Sequence, residues 1–174
     1  SGYFGGGAGI CIWGNFGDGY ISSNSIKDNI NVSDFNLGGG ILVWGPYEPY
    51  NTVIQQNFLK GNSSGAGGGI CLNLGFDARL EIRSNTIIDN NADKGGGIYT
   101  RRCYNQLICN NIFARDTASE IGGAIQLFDF EDDQKEPKDS IILRPVLVNN
   151  TYANNWSMKG GAIGCQHFAE TPVI

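Results

Sequence analysis

The chain has 174 residues, enough for one cored domain or one repeat array. Glycine supplies 26 of them, about twice ordinary usage, while apolar residues (41%) run along the whole length, so the composition excludes a disordered polymer. A net charge of -5, a pI near 4.7 and no basic run exclude binding to nucleic acid by phosphate neutralisation and attachment to an anionic membrane surface.

The chain opens at "SGYFGGGAGI", already inside a glycine run that ends on Ile10. It reads as a mature or trimmed piece of something longer. No stretch approaches the roughly 18 apolar residues of a membrane helix, and no signal peptide is read. After Ile10 comes "ISSNSIKDN" from Ile21, then "NLGGGILV" with Ile41. The order repeats: "IQQNFLKGN" from Ile54, "GAGGGICL" with Ile70, "IRSNTIIDN" from Ile82 and "DKGGGIYT" with Ile98. It continues through "ICNNIFARD" from Ile108, "EIGGAIQL" with Ile125, "LVNNTYANN" from Leu147 and "MKGGAIGC" with Ile163. The isoleucines after the glycines lie 31, 29, 28, 27 and 38 residues apart (10, 41, 70, 98, 125, 163). The last interval carries the insertion "DFEDDQKEPKD", an acidic loop over 129–139 within a single repeat domain spanning 1–174.

Two asparagine columns keep the same beat. One is Asn24, Asn57, Asn85, Asn111 and Asn150; the other is Asn29, Asn62, Asn90, Asp116 and Asn155. Helical repeats do not fit, because apolar residues alternate with period two and each glycine would cost a helix about 1 kcal/mol. An all-β parallel β-helix of about five to six coils does fit. Its coils stack one strand spacing apart, which sets equal residues above one another. Asparagine amides then bond down a ladder, and asparagine tolerates the left-handed backbone of a corner. Glycines sit where the chain enters a strand and a side chain would strike the next coil. Ile12, Val43, Leu72, Thr100, Leu127 and Cys165 face inward, as do Ile26, Leu59, Ile87, Phe113 and Tyr152.

These glycine corners and asparagine columns resemble the repeats of pectate-lyase-like extracellular proteins, over nearly the whole chain. The resemblance implies a right-handed β-helix. "GGAI" at 122–125 and 160–163 is also similar to half of the repeat signature of chlamydial polymorphic outer-membrane proteins. The other half, F-x-x-N, is mostly without its aromatic here.

The outward column holds Trp13, Trp44, Asn73, Arg101, Phe128 and Gln166. Loops beyond it add Phe16, Tyr20, Tyr47, Tyr50, Phe76, Tyr104, Phe130 and His167. Ligand-binding candidates are therefore Trp13, Trp44, Tyr47, Tyr99, Arg101, Arg102 and Phe128. Stacked aromatics can form a platform for sugar rings or a protein partner. Equally, long loops can fold back and bury them; an exposed Trp13–Trp44 pair would favour the platform.

Catalytic groups are harder to find. The pectate-lyase-like resemblance implies calcium-binding aspartates and a basic residue on an outward face, and no such aspartate cluster recurs. Arg101, Arg102 and "DARLEIR" with Asp77, Arg79, Glu81 and Arg83 come nearest. Asp129, Glu131, Asp132 and Asp133 of the insertion could hold calcium, although the alternating acids and central glycine of an EF-hand loop are missing. No cofactor is required. The cysteines Cys11, Cys71, Cys103, Cys109 and Cys165 contain no C-x-x-C pair and read mostly as buried thiols; only Cys103 and Cys109 are close enough for a local disulfide. Sequons at Asn62 and Asn155 fall on the ladder and should be inaccessible. The expectation is an extracellular or cell-surface scaffold that binds a polysaccharide or protein, adhesin-like. A polysaccharide lyase or hydrolase on the same coils is the rival. A third reading is a structural unit that self-associates end to end through open strand edges.

Overall fold

The computed structural model describes residues 9–14, 17–32, 36–45, 51–74, 79–103, 105–128, 145–166 and 173–174. Among them every element is a strand or a turn and every strand pairs in parallel, which is what stacking of consecutive repeats demands. The first sheet collects the strands that follow the glycines: Ile10–Trp13, Ile41–Trp44, Ile70–Asn73, Ile98–Arg101, Ile125–Phe128 and Ile163–Gln166. The second holds Gly19–Ser22, Asn51–Gln55, Arg79–Arg83, Asn105–Cys109 and Val146–Val148. The third holds Ser25–Lys27, Phe58–Lys60, Thr86–Ile88, Ile112–Ala114 and Thr151–Ala153. A fourth, shorter sheet holds Asn91–Lys94, Thr117–Ile121 and Trp156–Lys159. Each sheet stacks in chain order, so the molecule is a parallel β-solenoid.

The register follows the sequence alignment. Ile10, Ile41, Ile70, Ile98, Ile125 and Ile163 stand in one column. Ile21, Ile54, Ile82, Ile108 and Leu147 form a second, and Ile26, Leu59, Ile87, Phe113 and Tyr152 a third. All three meet in the core that fills the solenoid. In the central rungs these residues are fully buried, each contributing about 1.5–3 kcal/mol of transfer free energy. Phe113 stacks on Tyr152 inside it, ring centres 5.3 Å apart and 8° from parallel. Ile10, Ile12, Ile163 and Tyr152 lie in the outermost rungs and are only partly buried. Cys165 keeps register with Leu127 yet is exposed for the same reason.

Both asparagine ladders form. Side-chain amides donate from Asn24 to Asn57, Asn57 to Asn85, Asn85 to Asn111 and Asn111 to Asn150, at 3.0–3.1 Å. The second ladder runs from Asn29 to Asn62, Asn90 and Asp116, at 2.9–3.0 Å. One detail corrects the sequence reading. The left-handed corner residue is not the ladder asparagine but the residue before it: Ser23, Asp28, Gln56, Gly61, Ser84, Asp89, Asn110, Arg115, Asn149 and Asn154. A left-handed residue with a side chain costs about 1–2 kcal/mol, and the buried amide bonds immediately after it offset that strain.

The glycine runs do two jobs. Gly95 has φ +61°, a backbone that strongly favours glycine, and a Cβ on Gly39 would sit 2.5 Å from the Gly68 carbonyl oxygen of the next rung. All five cysteines are free. Cys103 joins the core, whereas Cys109 shares a column with Arg83 on the outer face of the second sheet. Of the sequon asparagines, Asn62 is fully buried and Asn155 half-buried.

Candidate functional site

Corners around a rung differ in how much they vary. Between the second and third sheets, and again after the third, each turn is one left-handed residue followed by a ladder residue. Between the first and second sheets the connections run over 14–18, 45–50, 74–78, 102–104 and 129–145, from three to seventeen residues long. Loop variation gathered on one edge of a repeat array is where recognition concentrates.

The last residue of each first-sheet strand borders that edge. Trp13, Trp44, Asn73, Arg101, Phe128 and Gln166 stand in one column there. Trp13 and Trp44 stack with ring centres 5.1 Å apart and planes within 3°. Indoles that close and that parallel lie face over face along the column. Their edges therefore point outward, not their flat faces. Trp13 is 46% exposed and Trp44 half-buried. Arg101 and Arg102 are half-buried, and the Arg102 backbone, at φ +55°, donates to the Phe128 carbonyl at 3.2 Å.

Tyr99 plays a different part. Cys11, Leu42, Cys71, Tyr99, Gln126 and Gly164 form the neighbouring outward column, and its middle members are buried although they point away from the core. Leu42, Ala66, Cys71 and Tyr99 make a second apolar cluster, with Leu37, Trp44 and Phe128 packed against it. The Tyr99 ring lies 6.3 Å from that of Phe128, 22° from parallel. Burial pushes the Tyr99 hydroxyl up to about 12 and drives the Cys71 thiol well above its ordinary range, with Arg101 pulling both slightly back. Tyr99 supports Trp44 and Phe128 from behind. The signal for this layer was present in the sequence: Leu42, Cys71 and Tyr99 are too apolar a set for an open face.

Across the edge, the second sheet carries a groove of about 350 Å³ lined by Asn51, Thr52, Val53, Arg79, Leu80, Glu81 and Leu107. Of these, only Arg79 and Glu81 are singled out by the sequence; Asn51, Thr52, Val53, Leu80 and Leu107 are not. Arg79, Glu81 and Arg83 alternate outward along one strand, as "DARLEIR" implied, and Glu81 pairs with Arg83 at 3.2 Å. Glycoside hydrolysis needs two carboxyl groups across a bond; Glu81 is the one carboxylate among the described lining residues.

Tyr47 and the acidic set Asp129, Glu131, Asp132 and Asp133 lie outside the described residues, as do Asp77, Phe16, Tyr50, Phe76, Tyr104, Phe130 and His167. Among the described residues no group of three His, Cys, Asp or Glu side chains could hold a metal ion, and no helix is long and apolar enough to cross a membrane. Comparison with known proteins gives no match: no family model, no curated protein and no solved structure aligns with the chain.

Proposed function

We propose that the chain is a recognition scaffold, working outside the cell or on its surface, that docks a polysaccharide or protein partner along the edge between the first and second sheets. The observation that carries this reading is the Trp13–Trp44 stack, in register with Arg101 and Phe128 at the strand ends from which the variable connections leave. The ring edges carry the positive part of the aromatic quadrupole, so they suit oxygen-rich groups. Arg101 adds a positive charge to the same column, and a guanidinium matches a carboxylate with two parallel bonds. An acidic, hydroxyl-rich polysaccharide answers both features. The pectate-lyase-like kinship, the right-handed coil and the extracellular setting belong to the same proposal, which rests on the glycine corners and amide ladders.

A glycan array that includes uronate oligosaccharides, read with and without calcium, tests it. Retention of acidic glycans, reduced at least tenfold in Trp44→Ala and in Arg101→Ala, is the expected result. Binding indifferent to both substitutions would move the site elsewhere. Release of unsaturated uronates, seen as new ultraviolet absorbance, would make the chain a lyase instead.

A further inference from the structure

The second ladder contains one residue that cannot do what its neighbours do. Within the ladder the amide nitrogen donates twice, once to the next ladder oxygen and once to a carbonyl of the preceding rung, as Asn62 and Asn90 show; the end residues Asn29 and Asn155 make one of the two bonds each. Asn62 donates to Asn90 Oδ1 at 3.0 Å and to the Ile26 carbonyl at 3.1 Å. Asn90 donates to Asp116 Oδ1 at 2.9 Å and to the Leu59 carbonyl at 3.3 Å. Asn155 donates to the Phe113 carbonyl at 3.1 Å. The series Ile26, Leu59, Phe113 skips Ile87, the carbonyl that falls to Asp116. Asp116 puts Oδ2 where the others put nitrogen. A Cβ on Gly97 would lie 3.2 Å from Asp116 Oδ2, as one on Gly69 would lie 3.5 Å from Asn90 Nδ2 and one on Gly9 3.1 Å from Asn29 Nδ2.

Asp116 is fully buried, and its Oδ2 has no hydrogen-bond partner. Its Oδ1 is already an acceptor from the Asn90 backbone and side chain, both at 2.9 Å. The next ladder oxygen, Asn155 Oδ1, accepts from the Asp116 backbone at 2.9 Å and so faces the carboxyl as a second acceptor. Three acceptor oxygens thus meet at a seat built for a donor. A buried carboxylate there would leave an unpaired charge against two lone pairs.

We propose that Asp116 is protonated in the folded protein, that Oδ2–H donates to Asn155 Oδ1 or the Ile87 carbonyl, and that the joint between the fourth and fifth ladder rungs is therefore held by a proton and loosens as pH rises. The charged groups nearby do not remove the need for it. Arg115, on the same corner, spends its guanidinium on Asp89, with Nε to Oδ1 at 2.6 Å and the second bond at 2.9 Å. Asp89, on the preceding rung, repels a charge at Asp116, and Lys60 reaches only Asp89, at 4.0 Å. The following corner, Asn154 to Trp156, and the glycine corner at Gly96 and Gly97 carry no charge. Burial, the largest influence, raises the Asp116 carboxyl to about 8 against the opposing pull of the Asn90 bonds and the weaker attraction of the Arg115 charge.

The sign of the pH effect follows. An unfolded chain releases this proton near pH 3.9, so above that value the folded state holds one proton more. Stability from this group is complete below that pH, falls as pH rises, and is gone once pH passes about 8.

Asp116→Asn installs a donor that needs no proton. Urea unfolding of both proteins from pH 4 to pH 9 reads the difference. The ratio of folding constants, variant over native, should grow about tenfold per pH unit across the window and level off near its top. A ratio that does not change with pH would overturn the proposal. Carbon-13 NMR of the Asp116 carboxyl in the native chain gives a check that depends on no variant. A midpoint near 8 supports the proton-held joint, and one below 5 refutes it.

Discussion

Adjacent residues of one strand are under opposite demands in this molecule. In the first sheet the inward column reads isoleucine in every rung, from Ile10 to Ile163. One residue on, the outward column reads Cys11, Leu42, Cys71, Tyr99, Gln126 and Gly164, with only the cysteine recurring. Both columns are buried in the middle rungs. Burial therefore does not separate them; the neighbour does. An inward residue packs on its own copies above and below, so every rung imposes the same shape. An outward residue packs on corner residues such as Leu37 and on Trp44 and Phe128, which differ from rung to rung. Repetition records stacking, and variation records what lies against the solenoid.

Cutting the inward column tests the first half of that contrast. Ile98→Ala, at a fully buried position, should lose about 2–5 kcal/mol in denaturant unfolding, because a closed stack collapses poorly around a void. A ladder cut should come next. Asn85→Ala leaves the Asn57 backbone N–H without its acceptor and takes one bond each from Asn57 Nδ2, the Ile54 carbonyl and Asn111 Oδ1, at about 1–3 kcal/mol for the buried group left unpaired and less for the others, which keep a partner or regain water. Asn24→Ala, at the exposed end of the same ladder, should cost far less, and equal losses at the two sites would mean that the ladder is not a stack of equivalent ties. On the outward side, Trp13→Ala removes a ring stack worth about 0.5–1.5 kcal/mol while the core stays intact. Its main expected effect is weaker retention of acidic glycans; a large stability loss with unchanged binding would return Trp13 to a packing role.

This contrast also explains what could be read from the sequence. The isoleucine and asparagine columns were legible because each position repeats its residue and its spacing, and the register follows them residue for residue. The left-handed corners were misassigned by one residue. Ser, Asp, Gln, Arg and Gly fill that position as well as Asn, since the ladder bond after it supplies the energy, so no single residue type marks it. The outer layer of Leu42, Cys71 and Tyr99 was only half legible: its apolar character argues against an open face, but alternation alone sends those side chains to solvent and the repeat does not say what lies over them. What covers them comes from other corners, at spacings the repeat does not fix. Asp116 stood in plain view as the one break in an asparagine column, but its consequence depends on which atoms its carboxyl meets.

The smallest effect is a matched pair of titrations on neighbouring rungs. Asp89 and Asp116 are both aspartates beside Arg115, yet their carboxyls move in opposite directions. The hydrogen bonds from Arg115 hold Asp89 below its ordinary value, whereas burial raises Asp116. The contribution of Asp89 is therefore present above the usual carboxylate range and lost as pH falls through its lowered value, opposite in sense to that of Asp116. Arg115→Ala should raise both midpoints, since the guanidinium favours the ionised form of each. Asp89 should move more, because it loses two direct bonds, while Asp116 loses only the attraction of a nearby charge. Carboxyl carbon-13 shifts measured in one titration read both at once. Should Asp116 move further than Asp89, Arg115 would have to be the group that satisfies the buried Oδ2, and the proton would no longer be needed to explain that rung.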